Sequence, residues 1–188
     1  EAREAFEKLI KTADVFVHNI RPKAASRLAI DYETIAELNP SIIYASATGF
    51  GEAGPFADKP AYDDLIQGAS GIASLYGKVT GTPRYVPSVM ADKTTGLFLS
   101  NYISMALFHK ERTGEGQKLH VPMYESFAAF VISEHMQGQT FVPATGPAGY
   151  TRMLTVHRKP HETMDGFICV VPYTQKHWMN FLTLVGEQ

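Results

Sequence analysis

A carboxylate at the start of a long helix can close off the helix end, act on a ligand, or do both. Asp92 is such a residue. It follows the apolar approach Val89-Met90-Ala91 and precedes a helical pattern over residues 94–110. As an N-cap its side chain would accept backbone N–H groups, a role typically worth about 1 kcal/mol over alanine. Those donors and the helix dipole also favour the ionised form that a nucleophile needs. The same groups could stabilise oxyanionic charge during acyl transfer. Spacing alone favours the cap, and the two roles are compatible.

Other chemistry-bearing residues carry weaker signals. Tyr62, in Pro60-Ala61-Tyr62-Asp63-Asp64, opens a helix after a glycine-rich loop; such an aromatic is more often packed than bound to a ligand. Asp63 and Asp64 read as a solvated first helical turn favoured by the dipole. Arg21 and Arg27 flank one short helix and could both reach an anion, or both be surface arginines. His157, Arg158, Lys159 and His161 form a basic cluster without the carboxylate or thiolate spacing of a metal site. It reads better as a surface or phosphate-facing loop. Cys169, inside Phe167-Ile168-Cys169-Val170-Val171, reads as a buried strand residue rather than a reactive thiol. Gly49-Phe50-Gly51 is neither a dinucleotide fingerprint nor a Walker loop, and no serine or cysteine nucleophile motif is present.

The elements that must position these residues alternate. Residues 1–12 carry Ala2, Ala5, Phe6, Leu9 and Ile10 at helical spacing. Val15-Phe16-Val17 is a short apolar strand, and Pro22 suits the first turn of a helix running to Leu28. Asp31 is placed to cap a helix over residues 32–38, which Asn39-Pro40 ends. A second buried strand follows over 41–46, and continuous apolar strands separated by helices predict a parallel sheet. The glycine- and proline-rich stretch 48–60 then lies at a carboxyl strand end, where open α/β sheets bind ligands. Further helices are predicted over 63–76, 94–110, where apolar residues all round predict central burial, and 124–132. A turn-rich stretch is predicted over 77–84 and a strand over 118–121. Gly, Pro and Thr dominate 138–150, which reads as a linker. Asp165-Gly166 signals a hairpin turn before the strand 167–171, and 175–188 reads as an amphipathic helix.

Composition sets limits. At 45% hydrophobic and 19% charged residues the chain is a globular protein rather than a disordered one. A formal net charge of −2 argues against a nucleic-acid partner. One cysteine excludes an internal disulfide and fits a reducing compartment. No apolar run approaches bilayer length, so no membrane partner and a cytoplasmic location are expected. The chain lacks an initiator Met, and both ends fall within helical patterns; it reads as a fragment of a longer protein.

Five segments, in order and in register, are similar to the class III CoA-transferases, the superfamily that includes formyl-CoA transferase, carnitine CoA-transferase and α-methylacyl-CoA racemase. They are ADVFVHNIRP (13–22), LNPSIIYASATGFGEAGP (38–55), AYDDLIQGASGIAS (61–74), ADKTTG (91–96) and ERTGEGQKLHVPM (111–123), with a weaker return at RKPHETMDG (158–166). Each alone is modest, and five together are specific.

The resemblance implies a Rossmann-like parallel sheet with flanking helices, the large domain of a CoA-transferase, over 1–137. A linker and the start of a small α+β domain would occupy 138–188. It implies that Asp92 matches the family's catalytic aspartate. It further implies that Asn19, Ile20 and Arg21 line the CoA site, that Arg27 reaches the nucleotide end, and that Pro60, Ala61, Tyr62 and Asp63 pack beside the pantetheine and thioester. Coenzyme A would enter as a thioester substrate, with no permanently bound cofactor and no metal. Partners would be an acyl-CoA, a small carboxylic acid and a second copy in an interlocked homodimer. Arg84, His157 and Arg158 are candidates for an acceptor carboxylate. Racemases of the superfamily carry His where Tyr62 stands, and a neutral tyrosine of pKa near ~10 is a poor base at pH 7. Transferase chemistry is therefore the expectation, with racemisation or CoA binding without turnover as alternatives.

Overall fold

The computed structural model describes residues 1–187. Two compact units divide the chain, Glu1–Tyr150 and Thr151–Gln188.

In the first unit three strands form a parallel sheet in the order β1 (Val15–His18), β2 (Ile43–Thr48), β3 (Gln117–Pro122). The register pairs Val15 with Ile43 and Ile43 with Gln117. Central β2 buries Ile43, Tyr44 and Ala45 nearly completely because both of its faces are covered. On one side Ile10, Ile35, Ile42 and Tyr44 cluster with Phe6 and Phe16. These residues come from α1 (Ala2–Ile10), α3 (Tyr32–Leu38), the strands and, for Ile42, the position just before β2. Asp31 caps α3 as expected, its Oδ1 accepting the Thr34 N–H at 3.1 Å. Asn39, which ends α3, is buried: its amide donates to the carbonyls of Ile10 and Ala13, and its Oδ1 accepts from Ser41. One side chain thus satisfies backbone groups of three segments. Pro22 opens the short helix α2 (Pro22–Arg27).

Three helical expectations need correction. The predicted 63–76 helix is two, α4 (Asp63–Ala69) and α5 (Ile72–Thr80), broken at Gly71 with φ +92°. That conformation is cheap only for glycine. α5 then continues through part of the stretch expected to be turns. The long helix α6 (Met90–Thr113) begins a turn earlier than expected. It is also not central: Ala91, Thr95, Leu99 and Ala106 are buried, whereas Leu97, Met105 and Phe108 are 74%, 63% and 65% exposed. α7 (Met123–Ile132) follows β3 directly and packs Phe127 and Val131 against Ile66 of α4 and Ala91 of α6. Residues 138–150 stay with this unit, where the N–H of Gly149 donates to the His135 carbonyl and that of Tyr150 to His135 Nδ1.

The second unit holds a two-strand antiparallel pair, β4 (His161–Glu162) with β5 (Phe167–Ile168), and α8 (Gln175–Val185). The strand expected over 167–171 shrinks to two residues, and Cys169 just beyond it is exposed rather than buried. The helix expected to reach 188 ends at Val185, where Gly186 takes a positive φ of +81°; residue 188 itself lies outside the described residues.

Candidate active site

Two helix starts meet at the carboxyl side of the sheet. Asp92 is the third residue of α6 and exposed. It does not cap that helix. Val89 stands at the cap without a side-chain bond, and the donor of the first turn is met from another helix instead. The Asp92 N–H donates to Asp63 Oδ1 at 2.9 Å. Asp63, the first residue of α4, is buried rather than solvated. Its Oδ2 accepts the Gln67 amide at 2.6 Å. Partial burial, and then the Asp63 charge, raise the Asp92 carboxyl above its usual range. A capping carboxylate would shift the other way.

Gln67 is fully buried and bonded at both ends of its amide. Its Oε1 accepts the Val86 N–H at 2.8 Å, and its Nε2 also donates to the Ser88 carbonyl at 3.0 Å. The segment leading into α6 is therefore tied to α4. Sequence reasoning overlooked Gln67 and the capping role of Asp63. Their i,i+4 spacing on the buried side of α4 was the available signal.

Tyr62 precedes α4 and is 74% exposed, not packed as an aromatic of its size usually is. Pro60 is exposed and Ala61 half-buried. A Cβ on Gly49 would overlap that of Ala61, so glycine there lets the two ends of the 48–60 loop touch. The loop is further held to α7 by Tyr124 N–H to Gly49 carbonyl (3.0 Å) and Gly51 N–H to Glu125 Oε1 (2.9 Å).

A second group gathers where β1 runs into α2. Arg21, Lys23 and Arg27 line a cavity of about 570 Å³ with Asp58, which pairs with Lys23 at 2.5 Å. Three cations against one carboxylate leave this cavity basic. A neighbouring cavity of about 220 Å³ takes in His18, Ile20, Tyr44 and the Glu52–Lys118 ion pair. There His18 Nδ1 accepts the Ile20 N–H (3.1 Å), which leaves Nε2–H to donate to Tyr44 Oη (2.6 Å), whose hydroxyl donates to the Ile30 carbonyl. Burial lowers the His18 pKa and favours this neutral form. Asn19 is exposed beside it. Neither cavity is lined by Asp92 or by Pro60, Ala61, Tyr62 and Asp63. The expected site residues therefore form two groups, an acidic group at the starts of α4 and α6 and a cationic group around α2. Contacts of the loop residue Asp58 with Arg21 and Lys23 tie the 48–60 loop to the second group. Arg84 is exposed in the first unit, and His157 and Arg158 are exposed in the second. Among the described residues no three His, Cys, Asp or Glu side chains are grouped to hold a metal ion, and no helix is long and apolar enough to cross a membrane.

The family model for CoA-transferase family III matches residues 1–188. A succinate–glutarate CoA-transferase of Agrobacterium fabrum is 37% identical over 129 residues, 69% of this chain and 32% of that protein. An acetyl-CoA:oxalate CoA-transferase of Acetobacter aceti is 40% identical over 130 residues, 69% of this chain and 33% of that protein. Among solved structures, a CaiB/BaiF family protein from Brucella suis superposes with a TM-score of 0.80 at 28% identity, covering 98% of this chain and 49% of that one. The chain thus spans about a third of the length of the curated relatives it matches.

Proposed function

The chain belongs to CoA-transferase family III, and from that premise we propose that its full-length protein moves coenzyme A from an acyl-CoA to a carboxylic acid through Asp92. The Asp92 carboxylate attacks the thioester carbonyl, giving a mixed anhydride and CoA thiolate. The thiolate attacks the aspartyl carbonyl, giving an aspartyl-CoA thioester and the free donor acid. The acceptor carboxylate then attacks that thioester, displacing CoA thiolate and forming a second anhydride. Thiolate attack on the acceptor's acyl carbon completes the exchange and restores Asp92. Covalent catalysis of this kind divides one difficult exchange into easier steps. Carboxylate replaces carboxylate, so the balance needs neither ATP nor a metal.

The observation that carries the reading is an exposed carboxylate at a helix start whose backbone is pinned by a second, buried carboxylate. The basic cavity of Arg21, Lys23 and Arg27 suits the phosphates of CoA. Asn19 and Ile20 would flank the ligand, and exposed Pro60 and Tyr62, with Ala61 and Asp63, would lie along the pantetheine and thioester. Succinate, glutarate, acetate and oxalate in the names of relatives suggest short acids as donors and acceptors. In the full-length protein Asp92→Ala is expected to lower exchange by on the order of 10³-fold or more. Hydroxylamine should trap Asp92 as a hydroxamate, and mass spectrometry should find CoA mass on its peptide. Full activity in Asp92→Ala sinks the reading. Racemisation is disfavoured by Tyr62, which lacks a usable base at neutral pH; absence of deuterium exchange at the α-carbon of a branched acyl-CoA separates the two.

The same proposal takes 1–137 as part of a large domain, 138–188 as linker and start of a small one, an interlocked homodimer as the working assembly, and the cytoplasm as its location. The exposed apolar side of α6 supports a second copy.

A further inference from the structure

We propose that Gln67 is a positioning residue for the nucleophile, fixing Asp92 by way of Asp63, an inference that rests on the function proposed above. A fully buried amide is placed with all its bonds satisfied or not at all, because an unmet polar group in the interior is costly. Gln67 meets that condition with partners that all lead to the start of α6. Its Nε2 donates to Asp63 Oδ2 and to the Ser88 carbonyl, and its Oε1 accepts the Val86 N–H. The first bond sets the plane of the Asp63 carboxylate, whose other oxygen takes the Asp92 N–H. The other two hold residues 86–88, immediately before the helix that carries Asp92. Gln67 thus grips the nucleophile's backbone from two directions while its own side chain never reaches the surface.

The arrangement has a second effect. It keeps one carboxylate buried against the start of α6, and that charge contributes to raising the Asp92 carboxyl. Gln67 donates to Asp63 without neutralising it. A residue acting this way changes turnover more than substrate binding, because misplacing a reacting group by about 1 Å costs on the order of 10²-fold in rate.

The test compares the full-length wild type, Asp92→Ala, Gln67→Met and the exchanged pair Asp63→Asn with Gln67→Glu. Methionine keeps the volume and removes every hydrogen bond. Gln67→Met is expected to lower kcat at least about tenfold, with KM for acyl-CoA within about threefold and a cooperative melt. In the exchanged pair the amide oxygen introduced at position 63 still accepts the Asp92 N–H, and its nitrogen donates to the carboxylate introduced at position 67; that carboxylate keeps the Val86 N–H, and the Ser88 carbonyl loses its donor. Turnover should recover above Gln67→Met. The acid limb of the kcat/KM profile should move to lower pH, because the negative charge now sits one side chain farther from Asp92. A folded Gln67→Met with kcat within about threefold of wild type overturns the proposal. Should Gln67→Met fail to melt cooperatively, the exchanged pair decides: an unmoved acid limb, or failure to fold as well, makes Gln67 structural only and overturns it. If Asp92→Ala abolishes exchange while Gln67→Met leaves it intact, this inference alone falls. If Asp92→Ala exchanges normally, the active-site reading falls first.

Discussion

In the proposed reaction Asp92 must shed its proton before it attacks the thioester, and it stands beside a buried negative charge. For the proposed reaction its raised pKa moves the acid limb of activity above that of an ordinary aspartate, with activity rising as pH climbs through it. The ionised form is less favoured but more basic, which suits nucleophilic attack. At the cationic group the expectation differs. A side chain that holds a phosphate equally before and during reaction affects KM and leaves kcat alone. Arg27→Ala should raise KM for acyl-CoA about 10- to 100-fold, the value of one charge-assisted hydrogen bond, with kcat little changed. Steady-state kinetics with varied acyl-CoA check this; an unchanged KM removes Arg27 from the site. The motif segments contain Asp92 and Arg21, whereas Arg27 lies outside them and enters only through the resemblance. The Asp63–Gln67 pair stayed hidden because its targets, the backbone of Val86, Ser88 and Asp92, lie 19 or more residues away in sequence.

Among the elements, α3 shows a local signal that works. The Asp31 carboxylate is held below its usual value chiefly by the Thr34 N–H. A depressed folded pKa means stability that is present above the unfolded value, about 3.8, and lost as pH falls through the folded one. Asp31→Ala should cost about 1 kcal/mol at neutral pH, with the difference from wild type shrinking in acid. Denaturant melts at neutral and acidic pH check it. Strands β1 and β2 were likewise legible as apolar runs, and central β2 is the one buried on both faces; β3, with Gln117, Lys118 and His120, was legible only from the turn before it. The break at Gly71 was not, because the apolar pattern runs on through Ile72, Ala73 and Leu75 and gives no sign that φ turns positive. Nor was the start of α6 at Met90, which depends on residues 86–88 being held by Gln67.

For the whole molecule the unfinished side of α6 matters most. At 3.6 residues per turn Leu97, Met105 and Phe108 fall within an arc of about 80°, facing away from the buried Thr95, Leu99 and Ala106. An apolar pattern all round predicts central burial, and pattern and structure are reconciled if a second copy covers the outer arc. Light scattering on the full-length protein should give a dimer. Leu97→Glu with Phe108→Glu should weaken association about tenfold or more, in line with loss of buried apolar anchors. A monomeric wild type, or an unaffected dimer in the variant, removes the assembly from the proposal.

The glycine-rich loop has a consequence for how such a protein changes over time. Its two feet touch at Gly49 and Ala61, and its first foot is fastened to α7. The span between can therefore lengthen, shorten or exchange side chains without shifting Tyr62 or Asp63. Near its second foot the loop reaches the basic cavity through Asp58. Under the proposed function, contacts to the ligand can drift along this span while Asp63 and Asp92 stay put.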